Sequence, residues 1–418
     1  MNTIDDKIEL ITERLARRIE KANAYVLKEI GRSIKEIGTI NPTKANQLVQ
    51  IIKYGGNYEK IVRNIAKLTN LNVKEVEKVF EEIAKTDYRF AKQFYDYRGI
   101  NYIPYEQNVP LQNQIKALAS ITAQQYINIT NTTSLGFGIP NKDGTITFKG
   151  LKKTYYDVLD EAVVYVSQGK ETFDNAMFRQ LKDISESGLK VIYPTTYIDK
   201  DGIERHYTRR LDSAIRMNMN TALKNIHYEM QKQIGAEIDA DGVELSAHEN
   251  PAEDHENAQG RQFSNDEYLK LQTTGSAMTY DGKYVDMHIG EHFRPIREWN
   301  CKHYEFAIVL GVNKPQYSDE KLNQIKERND KGFEYDGKHY TMYQGTQLQR
   351  RIETEIRKQK EVQISGVASD NKELIQYSQQ NIRLLNRKYK ELCNISGLQP
   401  KMERLKVEGF KRVSTKEK

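Results

Sequence analysis

At 418 residues, with 38% hydrophobic content, 29% charged residues of both signs and a formal net charge of +6, the chain exceeds one ordinary core and is expected to divide into two or three domains. That mixture suits long, partly exposed helices better than a compact enzyme built on thick buried sheets. It does not point to nucleic acid, it leaves only Cys301 and Cys393 as cysteines, too far apart for a disulfide framework, and no run approaches the roughly 18–20 apolar residues of a membrane span.

The opening Met1–Lys7 is acidic at once and lacks an apolar core, so no secretory signal is expected and a reducing cytoplasm suits the thiols. Ile8, Ile11, Leu15 and Ile19 keep helical spacing, with Glu13, Arg14, Arg17 and Arg18 opposite. Asn41-Pro42-Thr43 and Tyr54-Gly55-Gly56-Asn57 break the pattern, and a third helix opens near Asn72 with Val73, Val76, Val79, Phe80 and Ile83 in register. Residues 1–100 thus read as an N-terminal helical region. Residues 101–235 form a helical middle with short hairpins. Its elements are a helix over Leu111–Thr130, a hairpin turn at Asn141-Lys142-Asp143-Gly144, and a helix over Leu151–Ser187 closed by Gly188. A second turn follows at Asp201-Gly202, and Thr208 caps a long helix bearing Arg209, Arg210, Ile215, Arg216 and Met219.

Residues 236–340 alternate as strands at Val243–Ala247, Gly282–Val285 and Tyr304–Leu310, around loops. Helices return over 341–398, with Leu348, Ile352 and Ile356 in register and a capping-box pattern at Asp370-x-x-Glu373, before Gly397 and Pro400 end them. Residues 399–418 read as a solvated basic tail. The expected fold class is mainly α with a small central α+β domain and long amphipathic helices at both ends.

The chemistry concentrates in that centre. Five of the eight histidines and one of the two cysteines lie between Leu245 and Leu310. Cys301-x-His303 puts sulfur and imidazole on one face of an extended backbone. His248 and His255 complete a Cys-His₃ set if their loop folds back, with Asp254 and Glu256 as alternative or supporting carboxylates. The competing reading is a buried polar network holding an irregular loop. His288-x-x-x-His292, interrupted by Gly290, reads as exposed rather than liganding. His255 with Glu256, or Cys301 with His303, could be cast as catalytic pairs, but no oxyanion-hole, nucleotide-binding or nucleophile-elbow motif accompanies them. Glu353-x-Glu355 resembles the acidic pair of some ADP-ribosyl-transferring toxins, yet it reads here as a solvated, ion-paired helix face.

The order Ser246-Ala247-His248, Asp254-His255, Gln259-Gly260, Cys301-Lys302-His303 resembles the core of the phage minor capsid protein 2 family, related to the phage Mu F-like head morphogenesis proteins. Thr172-Phe173-x-x-Ala176 through Ser187-Gly188-Leu189 to Tyr193 is similar to the family's segment before that core, as is the basic helix bearing Arg209 and Arg216. Tyr343-x-x-x-Gln347-x-x-x-Arg351 looks like its closing helix. The resemblance covers about Leu10 to Val413. It departs at Glu249-Asn250-Pro251-Ala252-Glu253, where the family tends to carry a glycine and a basic residue, so no acid-binding role is carried over for that loop. The resemblance implies a minor structural protein of a tailed-phage head and no enzyme. It would be assembled in the host cytoplasm and placed at the portal vertex or capsid interior. Implied partners are portal or major capsid subunits, packaged DNA and further copies of itself, with no membrane. It also implies a shared role for His248, His255, Cys301 and His303, either as ligands of a structural metal such as zinc or as a tight polar knot. A virion-delivered enzyme or toxin and a packaging-linked DNA-binding protein remain the alternatives.

Overall fold

The computed structural model describes residues 4–54, 56–71, 73–141, 143–198, 202–298 and 301–413, excepting the side chains of 4–11, Tyr54, Glu75 and Phe90. Of the residues named above, Met1, Gly55, Asn72, Lys142 and Asp201 lie outside that description.

The N-terminal third is helical, as its apolar period requires. α1 (Ile4–Gly38) buries Leu15, Ile19, Val26, Ile30, Ile34 and Ile37 along one stripe. α2 (Pro42–Tyr54) starts on a proline, whose missing N–H is harmless in a first turn. α3 (Asn57–Thr69) and α4 (Val73–Arg98) follow. Asn108 caps α5 (Val109–Ile129) by accepting from the Leu111 N–H at 3.2 Å.

β1 (Leu135–Pro140) and β2 (Ile146–Gly150) form the expected hairpin. The helix expected over Leu151–Ser187 is in fact two, α6 (Leu151–Val166) and α7 (Lys170–Ser187). Gly169 between them has φ 102°, which ends a helix without disturbing the apolar period on either side. β3 (Lys190–Ile198) and β4 (Glu204–Arg210) complete a sheet of order β2-β1-β3-β4. Thr208, expected to cap the next helix, stays in β4 opposite Ile192, because strand pairing continues past it. α8 (Leu211–Glu237) therefore starts after Arg210, with no capping side chain. One apolar core runs from α1 to α8 and takes in Val362, Leu374 and Val407 from the far end of the chain.

The centre has its own small core, around Leu245, Phe263, Leu271, Val285 and Met287. β5 (Gly242–Leu245), β6 (Gln262–Ser264) and the later β11 (Glu305–Ile308) form a sheet of order β11-β5-β6. Between β6 and β11 lie α9 (Asn265–Thr274), the pair β7 (Ser276–Met278) and β8 (Tyr284–Asp286), and the pair β9 (His288–Ile289) and β10 (His292–Phe293). α10 (Asp319–Lys331) and the hairpin β12 (Phe333–Tyr335) and β13 (Lys338–Tyr340) lead to the closing helices α11 (Met342–Ser369) and α12 (Lys372–Ser396). The capping box sits at Thr341 and Gln344, at the start of α11, rather than at Asp370. Asp370 ends α11 at φ 59°, and Asn371 caps α12.

Residues 399–413 are not a free tail. Side chains of Gln349, Arg357, Lys360, Gln363 and Gln379 donate to the backbone carbonyls of Gln399, Arg404, Leu405, Lys411 and Val413. Leu405 and Val407 are buried beneath this strap, while Lys401, Lys406, Lys411 and Arg412 face solvent.

A buried charge network ties α1, α8 and α11 together. Arg216 grips both oxygens of Glu13 at 2.9 and 3.0 Å, Glu20 at 3.0 Å and Asp212 at 2.7 Å. Arg210 holds Glu361 at 2.7 Å and Asp212 at 3.2 Å. Arg357 approaches Asp212 at 3.6 Å. Against its own burial, Asp212 is kept well below the usual carboxylate range by Arg210, Arg216 and Arg357. Glu20 behaves oppositely. Burial pushes it up to about 7, only partly offset by Arg216.

Candidate metal centre

The centre folds so that three separated words meet. β5 ends at Leu245, and Ser246 then bonds the incoming strand twice: its N–H donates to the Tyr304 carbonyl and its Oγ accepts from the Tyr304 N–H, both at 2.8 Å. That clasp lays Ser246–His248 along His303–Tyr304. A 3₁₀ turn at Glu253–His255 then drops His255 into the interior, fully buried. Gly260 turns the chain back into β6 at φ 69°, where a Cβ would meet Leu322 at 2.6 Å.

His255, Cys301 and His303 converge, all buried, with one ligand atom from each lying within 4.8 Å of the others. Cys301 Sγ lies 3.5 Å from His303 Nδ1. A tetrahedral zinc with a thiolate and imidazoles separates its ligand atoms by roughly 3.3–3.7 Å, so small side-chain adjustments suffice. His248 stands beside this trio rather than within it. Its ring is half-buried and packs on His303 at 4.7 Å between centroids.

Hydrogen bonds fix which nitrogens are spare. His255 Nε2 lies 2.7 Å from the Arg294 carbonyl, which can only accept, so Nε2 carries a proton. The other nitrogen of that ring, Nδ1, is buried without a hydrogen-bond partner among the described residues. His303 Nε2 faces Gln259 Oε1 at 3.4 Å. That oxygen also accepts the His248 backbone N–H at 3.0 Å, which identifies it as the amide oxygen. His303 thus donates through Nε2 and turns the Nδ1 lone pair toward Cys301. Outer bonds that commit the far nitrogen of each ring are how proteins orient metal-binding imidazoles.

The electrostatics point the same way. Burial, then Lys302 and Lys224, lower His248 to about 3. Burial and the neighbouring His248 and His255 rings hold His303 well below the ordinary imidazole value. Burial alone would raise the Cys301 thiol, but the His255 ring, the Arg297 backbone and Lys224 carry it below its ordinary value. Neutral imidazole and thiolate are the protonation states a metal requires. Arg297, next to this site, holds a left-handed backbone at φ 79°, stacks its guanidinium 3.7 Å over Tyr228 and pairs with Glu305 at 2.6 Å.

The expected carboxylates do not join the group. Asp254 pairs with Arg294 at 2.8 and 3.0 Å, and so steadies the carbonyl that receives the His255 proton. Glu256 turns to Lys326 and to Asn329, the latter at 3.0 Å. His288 and His292 lie exposed on β9 and β10 and are not part of the trio, as their glycine-broken spacing foretold. Glu353 corrects an expectation. Glu355 lies on a partly exposed face with Lys358 at 2.7 Å, but Glu353 is buried and accepts from Tyr389 at 2.9 Å, with burial raising its carboxyl. Sequence reading missed Lys224, which reaches the Cys301 carbonyl, and the buried His227 bridging Asp87 at 2.7 Å and the Glu305 carbonyl at 3.0 Å. Both lie on α8, where periodicity assigns a face but no partner.

The family model described as Phage minor capsid protein 2 matches residues 4–394. No curated protein and no solved structure matches the chain.

Proposed function

The chain belongs to the phage minor capsid protein 2 family, which gives it a structural role in a phage particle, and from that premise we propose that it is a minor protein of a tailed-phage head, acting in head morphogenesis at the portal vertex or on the capsid interior. The observation that carries this reading is the extent of the match. It takes in the N-terminal helices, the centre and nearly all of the closing helices, rather than one transferable module. The architecture supports it as well. α1 and the strap of residues 399–413 are locked into one helical body by the charge network and by the strap's hydrogen bonds, as suits a part that must withstand assembly. Portal and major capsid subunits are the partners this reading calls for, with packaged DNA as a neighbour. No helix among the described residues is long and apolar enough to cross a membrane. The toxin alternative loses its carboxylate pair, since Glu353 is engaged by Tyr389. Quantitative mass spectrometry of purified virions tests the reading. A few to a few dozen copies per particle, cross-linked to portal, is the expected result, and absence from the particle contradicts it.

A second reading concerns the centre, and the spare nitrogen of His255 favours it. His255, Cys301 and His303 would hold one structural metal, zinc by ligand type, with His248 near enough to supply the fourth ligand after a ring rotation. The metal would supply cross-linking of three loops and no chemistry. Cobalt(II) substitution reports on this directly. An intense thiolate-to-cobalt absorption that disappears in Cys301→Ser is expected, and a spectrum unchanged by that substitution contradicts it.

A further inference from the structure

The net charge of +6 is mild for this length, but it is not spread evenly. Between Lys372 and Val413 stand ten basic and four acidic residues, an excess of six that equals the excess of the whole chain. Everything outside α12 and the strap therefore sums to zero. A field that is weak on average is concentrated on one closing helix and the segment bound alongside it.

The helical period sharpens this further. At about 100° per residue, Lys372, Gln376, Arg383, Arg387, Lys390 and Asn394 fall within about 60° of one another on α12. All six are exposed, and no other residue of the helix shares their sector. The row therefore holds cations and amides, with neither an acid nor an apolar side chain. Glu373 and Glu391 lie about 80° further round, with the exposed Leu384 and Ile395 beyond them. The other flank is the strap, whose Val413 carbonyl accepts from Gln379 at 2.8 Å. That bond sets the exposed Lys411 and Arg412 beside the row, one helical turn from Arg383.

None of Lys372, Arg383, Arg387, Lys390, Lys411 and Arg412 has an ion-pair partner among the described residues, and Glu403 of the strap is taken by Arg17 and Lys406. Exposed lysines elsewhere do find partners, as Lys92 finds Asp96 and Lys170 finds Asp174.

From Lys372 to Lys390 the row runs about 27 Å, at 1.5 Å per helical residue. Cations without partners over that length call for a ligand with closely repeated negative charge, and duplex DNA carries one charge per roughly 1.7 Å of its axis. The amides of Gln376 and Asn394 donate to phosphate oxygens as well. A lipid surface fits less well, because a helix lying in it presents an apolar face, and this row has none. A folded protein partner would meet no apolar centre for its interface. Bound along its length to α11 and the strap, α12 is too broad to enter a major groove about 12 Å wide. Contacts therefore stop at the phosphates and carry no sequence preference.

We propose that the face formed by α12 and the strap binds the phosphate backbone of duplex DNA, without regard to sequence. The head reading supplies the place where the chain would meet DNA, and the inference rests on it to that extent; the surface itself is testable apart from it.

Fluorescence anisotropy of a labelled duplex of about 20 base pairs, titrated with the full-length chain between about 50 and 200 mM salt, provides the test. Six phosphate contacts predict that log affinity falls with log salt at a slope of about −5. The triple variant Arg383→Gln, Arg387→Gln, Lys390→Gln should flatten that slope by about 3. The same loss of charge at the exposed Lys60, Lys67 and Lys116, each replaced by Gln, should leave it unchanged. Arg387→Gln alone should flatten it by about 1, which keeps the test decisive if the triple variant folds poorly. Three outcomes overturn the proposal: no binding at the lowest salt, equal losses in the two triple variants, or phosphatidylserine vesicles displacing the chain as well as unlabelled duplex does at equal charge. Any of these would remove the DNA surface and leave the copy number in virions, and so the head reading, untouched.

Discussion

The charge network of the helical body and the His–Cys centre are both buried and polar, yet they are held in opposite ways. In the body, the guanidiniums of Arg210, Arg216 and Arg357 face the carboxylates of Glu13, Glu20, Asp212 and Glu361. Among the described residues that is one carboxylate in excess, and it is felt at Glu20, whose Oε2 lacks a partner among them and whose carboxyl burial raises to about 7. A proton repairs it. In the centre the His303 ring is held neutral, the Nε2 atoms of His255 and His303 are committed, and His303 Nδ1 faces the Cys301 sulfur. A proton there breaks the arrangement instead of completing it. The difference separates a network that holds helices from a cluster that has atoms left over for a ligand.

The two regions should therefore respond oppositely to acid. Glu20 is raised from 4.5, so its stabilising contribution is complete below pH 4.5 and is lost as the pH climbs through 7. His248 and His303 are lowered from 6.5, so their contribution is complete above that value and is lost as the pH falls below it.

The largest effect should come from replacing both Cys301 and His303 by Ala. Unfolding of the centre should then cease to be cooperative while the helical body melts as before, which hydrogen exchange resolves by region. An unchanged exchange pattern would remove the centre's special status. Next is Arg216→Ala, which strands Glu13, Glu20 and Asp212. Breaking a buried pair in this way costs about 3–5 kcal/mol, read by denaturant unfolding of the body. Glu20→Gln sharpens the contrast because it deletes a charge from an ion-paired site and should nevertheless stabilise. The gain is about 3 kcal/mol at pH 8, shrinking toward zero near pH 4.5; a loss at pH 8 would show that Glu20 is needed charged. The smallest change is Asp254→Asn. It weakens the grip on Arg294 and should cost about 1–2 kcal/mol, confined to the centre.

Much of this was legible beforehand, and the failures share a cause. Apolar spacing located α1, α5 and α8, because burying one stripe fixes both helix and face. The Asp-Gly and Asn-rich turns located the hairpins. The ordered words around His248, His255 and Cys301 located the centre, although only three of the four expected residues form the trio. What escaped depended on partners distant in sequence. Glu353 and Arg357 look like a solvated face until α12 and the strap cover them. The split between α6 and α7 turns on the backbone angle of Gly169, and the cap lost at Thr208 was overridden by its strand partner Ile192. The charge network joins residues from Glu13 to Glu361, and within single elements the four-apart pairs Asp212 and Arg216 on α8 and Arg357 and Glu361 on α11 are all that hints at it.

The measurement that bears most directly on the contrast is elemental analysis of the full-length chain, purified without added metal and melted with and without a strong chelator. About one zinc per chain is expected, with chelation exposing the segment 236–340 to protease while the helical body stays resistant. A metal-free chain whose centre resists protease as well as its helices do would contradict it, and would leave His255, Cys301 and His303 as a polar knot complete in itself.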